Sequence, residues 1–264
     1  MTVTPFYAKL TFEEVRDADK DRVVILPVGA TEDHGPHMAL DTDTLLVGSI
    51  ADGVARAAPD EVFVMPAIPY GFNEHHKDFP GVIWIEPATL ASFVTDVTKS
   101  LAHHGFRRML ILNGHGSNHP VLDLAARQTV IATGAICVFA SYWNLMSDTI
   151  NANRVSPPGG VAHACEFEAS LYLHLDPDNV HLEKAASRIV HDPGSRYFNL
   201  DLAGGNRAML MRWWSAQTPD GTMGDPTVAT ADRGKLFYEA AVRETVGLVR
   251  EIRGLPWLER RDHH

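Results

Sequence analysis

A chain of 264 residues, 45% hydrophobic and 21% charged, has the balance of an ordinary globular protein and is read as one domain spanning residues 1–264. Its formal net charge of -10 argues against nucleic acid or an anionic membrane as partner, since either would favour a clustered basic face. Two cysteines without CxxC spacing, no apolar run near ~18 residues, and an N-terminus without basic or apolar signal regions make the cytoplasm the expected location.

A β-then-α rhythm runs along the chain. The apolar stretch "RVVILPVG" at 22–29 reads as a buried strand. Leu45, Leu46, Ile50 and Val54 then recur at helical spacing over 42–58. A second strand is expected at 61–71. Leu90, Phe93, Val94, Val97 and Leu101 mark a helix over 88–104, with Gly105 at its C′ position. A third strand at 107–116 ends in a glycine-rich turn, followed by a helix over 118–132 and a strand at 135–143. A helix is expected to begin near His163, and a long one to span 232–253. Between them, 191–230 is Gly/Pro/Asn-rich and reads as a loop region over one face. The expected fold is therefore α/β, with a largely parallel sheet covered by helices on both sides.

Histidine is unusually frequent, at 14 residues, of which His263 and His264 at the end read either as a tag remnant or as a polar tail. The others cluster with acids and glycines just after the strands. In open α/β sheets, sites lie beyond the carboxyl ends of strands. Within "GATEDHGPHMALDTD" (29–43), Glu32 and His34 are i and i+2 and share a side of an extended segment, and Asp43 opens the next helix. Such a set suits Zn²⁺, Mn²⁺ or Fe²⁺. The alternative is a polar loop in which Asp41 or Asp43 caps the helix. His115 stands in "NGHGSNH", where glycines permit a sharp turn; a lone GHG is weak evidence. In "VAHACEFEASLYLHL" (161–175), a helix through His163 would put Glu166 on the same face at i+3. A buried histidine satisfied by one carboxylate is the alternative there. Taken together, Glu32, His34, Asp43, His115 and Glu166 supply three carboxylates and two imidazoles, enough for two metal ions if one carboxylate bridges them.

These residues resemble those of the creatininase family. The resemblance rests on "LPVGATEDHGPHMALDTDT" (26–44), "FPG" (79–81), "ATL" (88–90), "LILNGHGSNH" (110–119) and "HACEFEASL" (163–171), in order over about two-thirds of the chain. It implies a three-layer α/β/α sandwich, hexameric assembly and a two-metal centre that hydrolyses C–N bonds of amides through a metal-bridging hydroxide. Glu32, His34, Asp43 and His115 match metal ligands, and His163 matches a residue that handles the proton at the leaving nitrogen, here with Glu168 to orient it. Where the namesake enzyme has a further glutamate ligand, this chain has Ser117; Glu166 is the expected replacement. Trp143 matches one of two tryptophans that hold a flat ring, and no tryptophan near 158–162 matches the other. His76 and then His75 are the first candidates to contact a small-molecule substrate, together with Ser117.

Within the family the resemblance leaves open a formamidopyrimidine-nucleotide deformylase, a cyclic amide or lactone hydrolase, and a peptidase of cofactor maturation. A phosphorylated substrate would need arginines near the site, with Arg188, Arg196 and Arg207 as candidates. From other classes come a non-catalytic metal-binding assembly subunit and a sugar isomerase or lyase on a barrel. The barrel would need around eight βα units, and about five strands are readable.

Overall fold

The computed structural model describes residues 4–189, 195, 197, 198, 200–205 and 207–264. Four parallel strands form the central sheet: β1 (Val23–Val28), β2 (Val62–Val64), β3 (Arg108–Asn113) and β4 (Ile136–Ser141), in the order β2-β1-β3-β4. Helices α1 (Phe12–Asp17), α2 (Thr42–Ala57), α3 (Pro87–His103), α4 (His119–Thr133), α5 (Tyr142–Leu145) and α6 (Ser147–Asn153) lead to β5 (Val161–His163) and α7 (Glu166–Leu175). A two-residue strand β6 (Met223–Gly224) pairs antiparallel with β5, and α8 (Ala231–Gly254) closes the fold.

Alternation along the buried strands builds the layers. Val23 and Ile25 of β1 pack with α2, α7 and α8, whereas Leu26 and Val28 pack with Leu90 and Val94 of α3 and Val121 and Leu122 of α4. The expected three-layer α/β/α sandwich is what forms.

Most expected elements lie within a residue or two of their place. The second strand is shorter than 61–71, because Pro66 and Pro69 cannot donate to a ladder; only a bridge from Val28 to Ile68 continues it. Gly105 takes φ +91°, the left-handed geometry of a C′ residue. The helix expected to begin near His163 differs too. His163 ends β5, Ala164 turns the chain at φ +51°, and α7 begins only at Glu166. Part of the expected loop region, including Arg196, lies outside the described residues.

β1 and β3 are central, with the chain crossing from β1 to β2 on one side and to β3 and β4 on the other. That reversal leaves a crevice beyond their carboxyl ends. Close packing there depends on two glycines. A Cβ on Gly29 would meet Thr44 at 2.6 Å, and one on Gly114 would meet the Asp43 carbonyl oxygen at 2.7 Å. The first turn of α2 is thereby drawn between the ends of β1 and β3, with Asp43 at its tip.

Candidate metal centre

The segment after β1 is pinned at several points. Glu32 N–H donates to Leu40 O, Thr44 Oγ1 donates to Ala30 O, and Asn118 Nδ2 donates to Gly29 O. Fixed in this way, Glu32, His34 and Asp43 are buried together, and the ligand atoms of all three lie within 4.8 Å of one another. His115, just after β3, brings Nδ1 to 3.1 Å from both Glu32 Oε1 and Asp43 Oδ2. His34 Nε2 stands 3.3 Å from Asp43 Oδ1. Asp43 thus presents one oxygen to each imidazole.

Backbone carbonyls settle which ring nitrogen faces the cluster, since a carbonyl can only accept. His115 Nε2–H donates to Phe72 O (3.2 Å), His163 Nε2–H to Asp33 O (2.7 Å), and His34 Nδ1 lies 3.4 Å from Glu32 O. The lone pairs of the opposite nitrogens therefore converge on the carboxylates, the arrangement in which metal-binding histidines are held. Glu32 Oε1 and Oε2, Asp43 Oδ2 and His34 Nε2 are buried without a well-directed hydrogen bond. Such a set of orphaned, mostly acidic acceptors fits divalent cations.

The protonation equilibria point the same way. Burial opposes charge on His34, but Asp43 and Glu168 outweigh it and push the imidazole up to about 10. His115 is likewise raised: burial opposes, and Glu32 and Asp43 prevail. Burial raises Glu32, and the neighbouring imidazoles hold Asp43 low against its own burial. The carboxylates favour positive charge at this spot, which a divalent cation bound there would supply in place of the histidine protons.

Glu166 is not part of this cluster, contrary to expectation. Its Oε1 and Oε2 accept from the N–H groups of Val155 and Ser156, both at 2.8 Å, and it pairs with Arg233 at 3.2 Å. The i, i+3 spacing required a helix already formed at His163. Because Ala164 turns the chain first, Glu166 at the start of α7 faces α8 and the 155–156 backbone instead. Glu168, two residues on, faces the cluster and forms a ligand-type triad with His34 and His163. Burial pushes its carboxyl up to about 7 against the pull of His34. His163 is oriented by the Asp33 carbonyl, not by Glu168. Its Nδ1 stands 3.7 Å from Glu32 Oε1, and burial and the charge on His34 lower its pKa well below the usual histidine value.

His76 and His75 are buried on the 3₁₀ turn Glu74–His76. Asp33 Oδ1 accepts from His76 Nδ1–H at 2.8 Å, leaving His76 Nε2 directed towards Glu32 Oε1 at 3.9 Å. His75 Nε2 and Ser117 Oγ lie 3.1 Å apart, and burial lowers His75 to about 3. His37 Nε2–H donates to the carbonyl of Ala164 at 3.0 Å, buttressing the left-handed turn that separates His163 from Glu168. Above the floor lies a cavity of about 560 Å³, lined among others by Asp43, His75, His76, His115, Ser117, Trp143, His163 and Glu168. Trp143 is therefore on the cavity, as expected.

A second tryptophan also lines it, one that sequence reasoning sought in the wrong place. Trp214, on the 3₁₀ turn Trp214–Ala216, stacks on His76 with centroids 4.4 Å apart and planes 27° apart. Its only signal in the sequence was the apolar run "MLMRWW" (209–214) inside an otherwise polar, glycine-rich stretch. Of the arginines weighed for a phosphate, Arg188 pairs with Asp220 at 2.9 Å, Arg207 is exposed, and neither lines the cavity.

Fold and site define an α/β protein with a buried carboxylate–imidazole centre of metal-binding type, open to one cavity. The chain belongs to the creatininase family: the creatinine amidohydrolase family model matches residues 8–249. It is 32% identical to the creatinine amidohydrolase of Pseudomonas putida over 269 residues, covering 95% of this chain and 98% of that protein. It is 30% identical to the mycofactocin precursor peptide peptidase of Mycobacterium tuberculosis over 239 residues, covering 84% of this chain and 82% of the other. A solved creatininase carrying a glutamate-to-glutamine substitution, of Zn–Zn type, superposes with a TM-score of 0.78 at 27% identity, covering 94% of this chain and 98% of that one. The class shared with these relatives is hydrolase.

Proposed function

We propose that this chain is a binuclear metal-dependent amidohydrolase acting as one domain on a C–N bond of an amide, cyclic amide or formamide. The observation that carries the reading is the convergence of orphaned buried acceptors from Glu32, His34 and Asp43 on His115 and Glu168 at the floor of the cavity. Glu32, His34, Asp43, His115 and Glu168 would hold two divalent ions (Zn²⁺, Mn²⁺ or Fe²⁺), with Asp43 shared because its oxygens face different imidazoles. When bound, such ions supply Lewis acidity towards a carbonyl oxygen and lower the pKa of coordinated water.

The chain's own groups do the rest. His163 is held by the Asp33 carbonyl at Nε2, so only Nδ1 can exchange a proton with the reacting groups. Nδ1 would accept a proton from the attacking water and pass it to the departing nitrogen as the C–N bond breaks, acting first as base and then as general acid. His75, His76, Ser117 and Trp143 contact the substrate from the cavity wall. Expected assembly is a homo-oligomer, a hexamer on the family resemblance, working in the cytoplasm; light scattering checks the oligomer.

The test is chelation. Stripping the protein should abolish hydrolysis across an amide panel, and Mn²⁺, Zn²⁺ or Fe²⁺ should restore it, with about two ions bound per chain at full activity. Full turnover by a thoroughly stripped sample would sink the proposal. Metal uptake without turnover would instead favour a non-catalytic assembly subunit.

A further inference from the structure

The cavity is also lined by Leu200, Leu202, Met209, Leu210, Met211 and Trp214, all from one stretch of chain. Three of these side chains stand largely in water: Met209 is 77% exposed, Leu210 45% and Met211 60%. Apolar groups held at a cavity mouth with that much exposure gain little from the fold, and an apolar ligand would cover them. Trp214 joins wall to floor. It stacks on His76, meets His75 and His163 edge-on at 5.4 and 5.2 Å, and its Nε1–H donates to Gly221 O at 3.3 Å.

Of the carboxylates that line the cavity, Asp201 is already paired with Arg154 at 2.6 Å, and none of the described lining residues is Lys or Arg. An anionic group on a ligand's body would find no cationic side chain to pair with there. A volume of about 560 Å³ also has room for a ligand much larger than a single small ring.

We propose that the substrate is an uncharged amide bearing an apolar, preferably aromatic, group seated against Trp214 and residues 209–211, and that Trp214 determines this specificity. The proposal rests on the amidohydrolase reading and deepens it by naming the substrate class. It places a phosphorylated nucleotide outside the substrate range.

The experiment compares phenylacetamide, acetamide and the ring-sulfonated phenylacetamide on the metal-loaded full chain. Binding is followed by calorimetry and hydrolysis by ammonia release. Phenylacetamide should exceed acetamide by roughly tenfold or more in both affinity and kcat/KM, and the sulfonate should lose that advantage. Trp214→Ala should cut the phenylacetamide-to-acetamide ratio by about tenfold, with Trp214→Phe retaining most of it. Met211→Gln, at an exposed position, should narrow the ratio in the same direction and serves if Trp214→Ala fails to fold. Equal handling of the two neutral amides, a sulfonate bound as well as its parent, or a ratio unmoved by Trp214→Ala and Met211→Gln would overturn the proposal. Absence of metal-dependent turnover on every amide would count against the hydrolase reading, while the binding ratios still decide the role of the wall.

Discussion

The floor and the wall of the cavity are built by opposite means. The floor consists of buried carboxylates and imidazoles beyond the ends of β1, β3 and β5, with His115 and His163 fixed by hydrogen bonds to backbone carbonyls and α2 drawn in tightly over Gly29 and Gly114. The wall is apolar, partly exposed, and held by a few side-chain contacts. Trp214 lies against His76, Lys77 over the Trp213 ring at 4.9 Å, and Ser215 donates to Asp78. Buried unpaired charge is costly, so the floor demands exact placement and a compensating cation. An apolar wall demands only shape, which leaves it free to differ between relatives acting on different substrates.

The largest effect that could break this comparison is expected at Asp43. Asp43→Asn should remove both metal retention and turnover, exceeding the roughly 10–100-fold loss typical of an outer partner; metal analysis beside kcat/KM checks it. If Asp43→Asn keeps its metal, the floor is not a shared-carboxylate centre. Gly114→Ala should come next. The added Cβ would press on the Asp43 carbonyl oxygen and on Val47 Cβ, both at 2.7 Å, costing about 1–3 kcal/mol in urea unfolding and lowering activity as well.

Glu166 and Glu168 sharpen the contrast between anchoring and site chemistry on one helix. Glu168→Gln should impair metal binding and turnover with little change in Tm. Glu166→Gln should leave its backbone donors and Arg233 poorly paired and lower stability by about 1–3 kcal/mol, read by urea unfolding. The reverse pattern would restore Glu166 as the ligand.

The smallest effect concerns acid. Burial lowers His37 to about 4 and His75 to about 3, so both bind a proton less readily in the fold than in the unfolded chain, where the value is 6.5. Their contribution is full above about pH 6.5 and is lost as pH falls towards 4, at about 1.4 kcal/mol per pH unit for each group. Glu168 and Asp33, both raised to about 7 chiefly by burial, act in the opposite direction over the same range, so the check is differential: from pH 7 to 5 the urea midpoint of His37→Asn should fall less, or rise more, than that of the unmodified protein.

Much of the site was legible because it is local. Glu32, His34 and Asp43 sit within twelve residues, and the spacing of ligand types with Gly35 and Pro36 marks them before any fold is known. His115 is marked by its flanking glycines. Glu166 lies apart from the cluster because helical periodicity assigns faces only within a helix, and the left-handed turn at Ala164 resets the phase just before α7 begins. Ala164 carries no mark of this: its conformation is buttressed by His37, 127 residues away in the chain.

Sequence alone determined the alternation of strands and helices and the carboxylate and imidazole make-up of the centre, since both follow from short-range periodicity and donor type. Tertiary structure alone decided which of two nearby carboxylates reaches the cluster, that the Asp33 backbone rather than a side chain orients His163, and that Trp214 supplies the second aromatic wall. Those depend on contacts between segments far apart in the chain, whose directions no local pattern encodes.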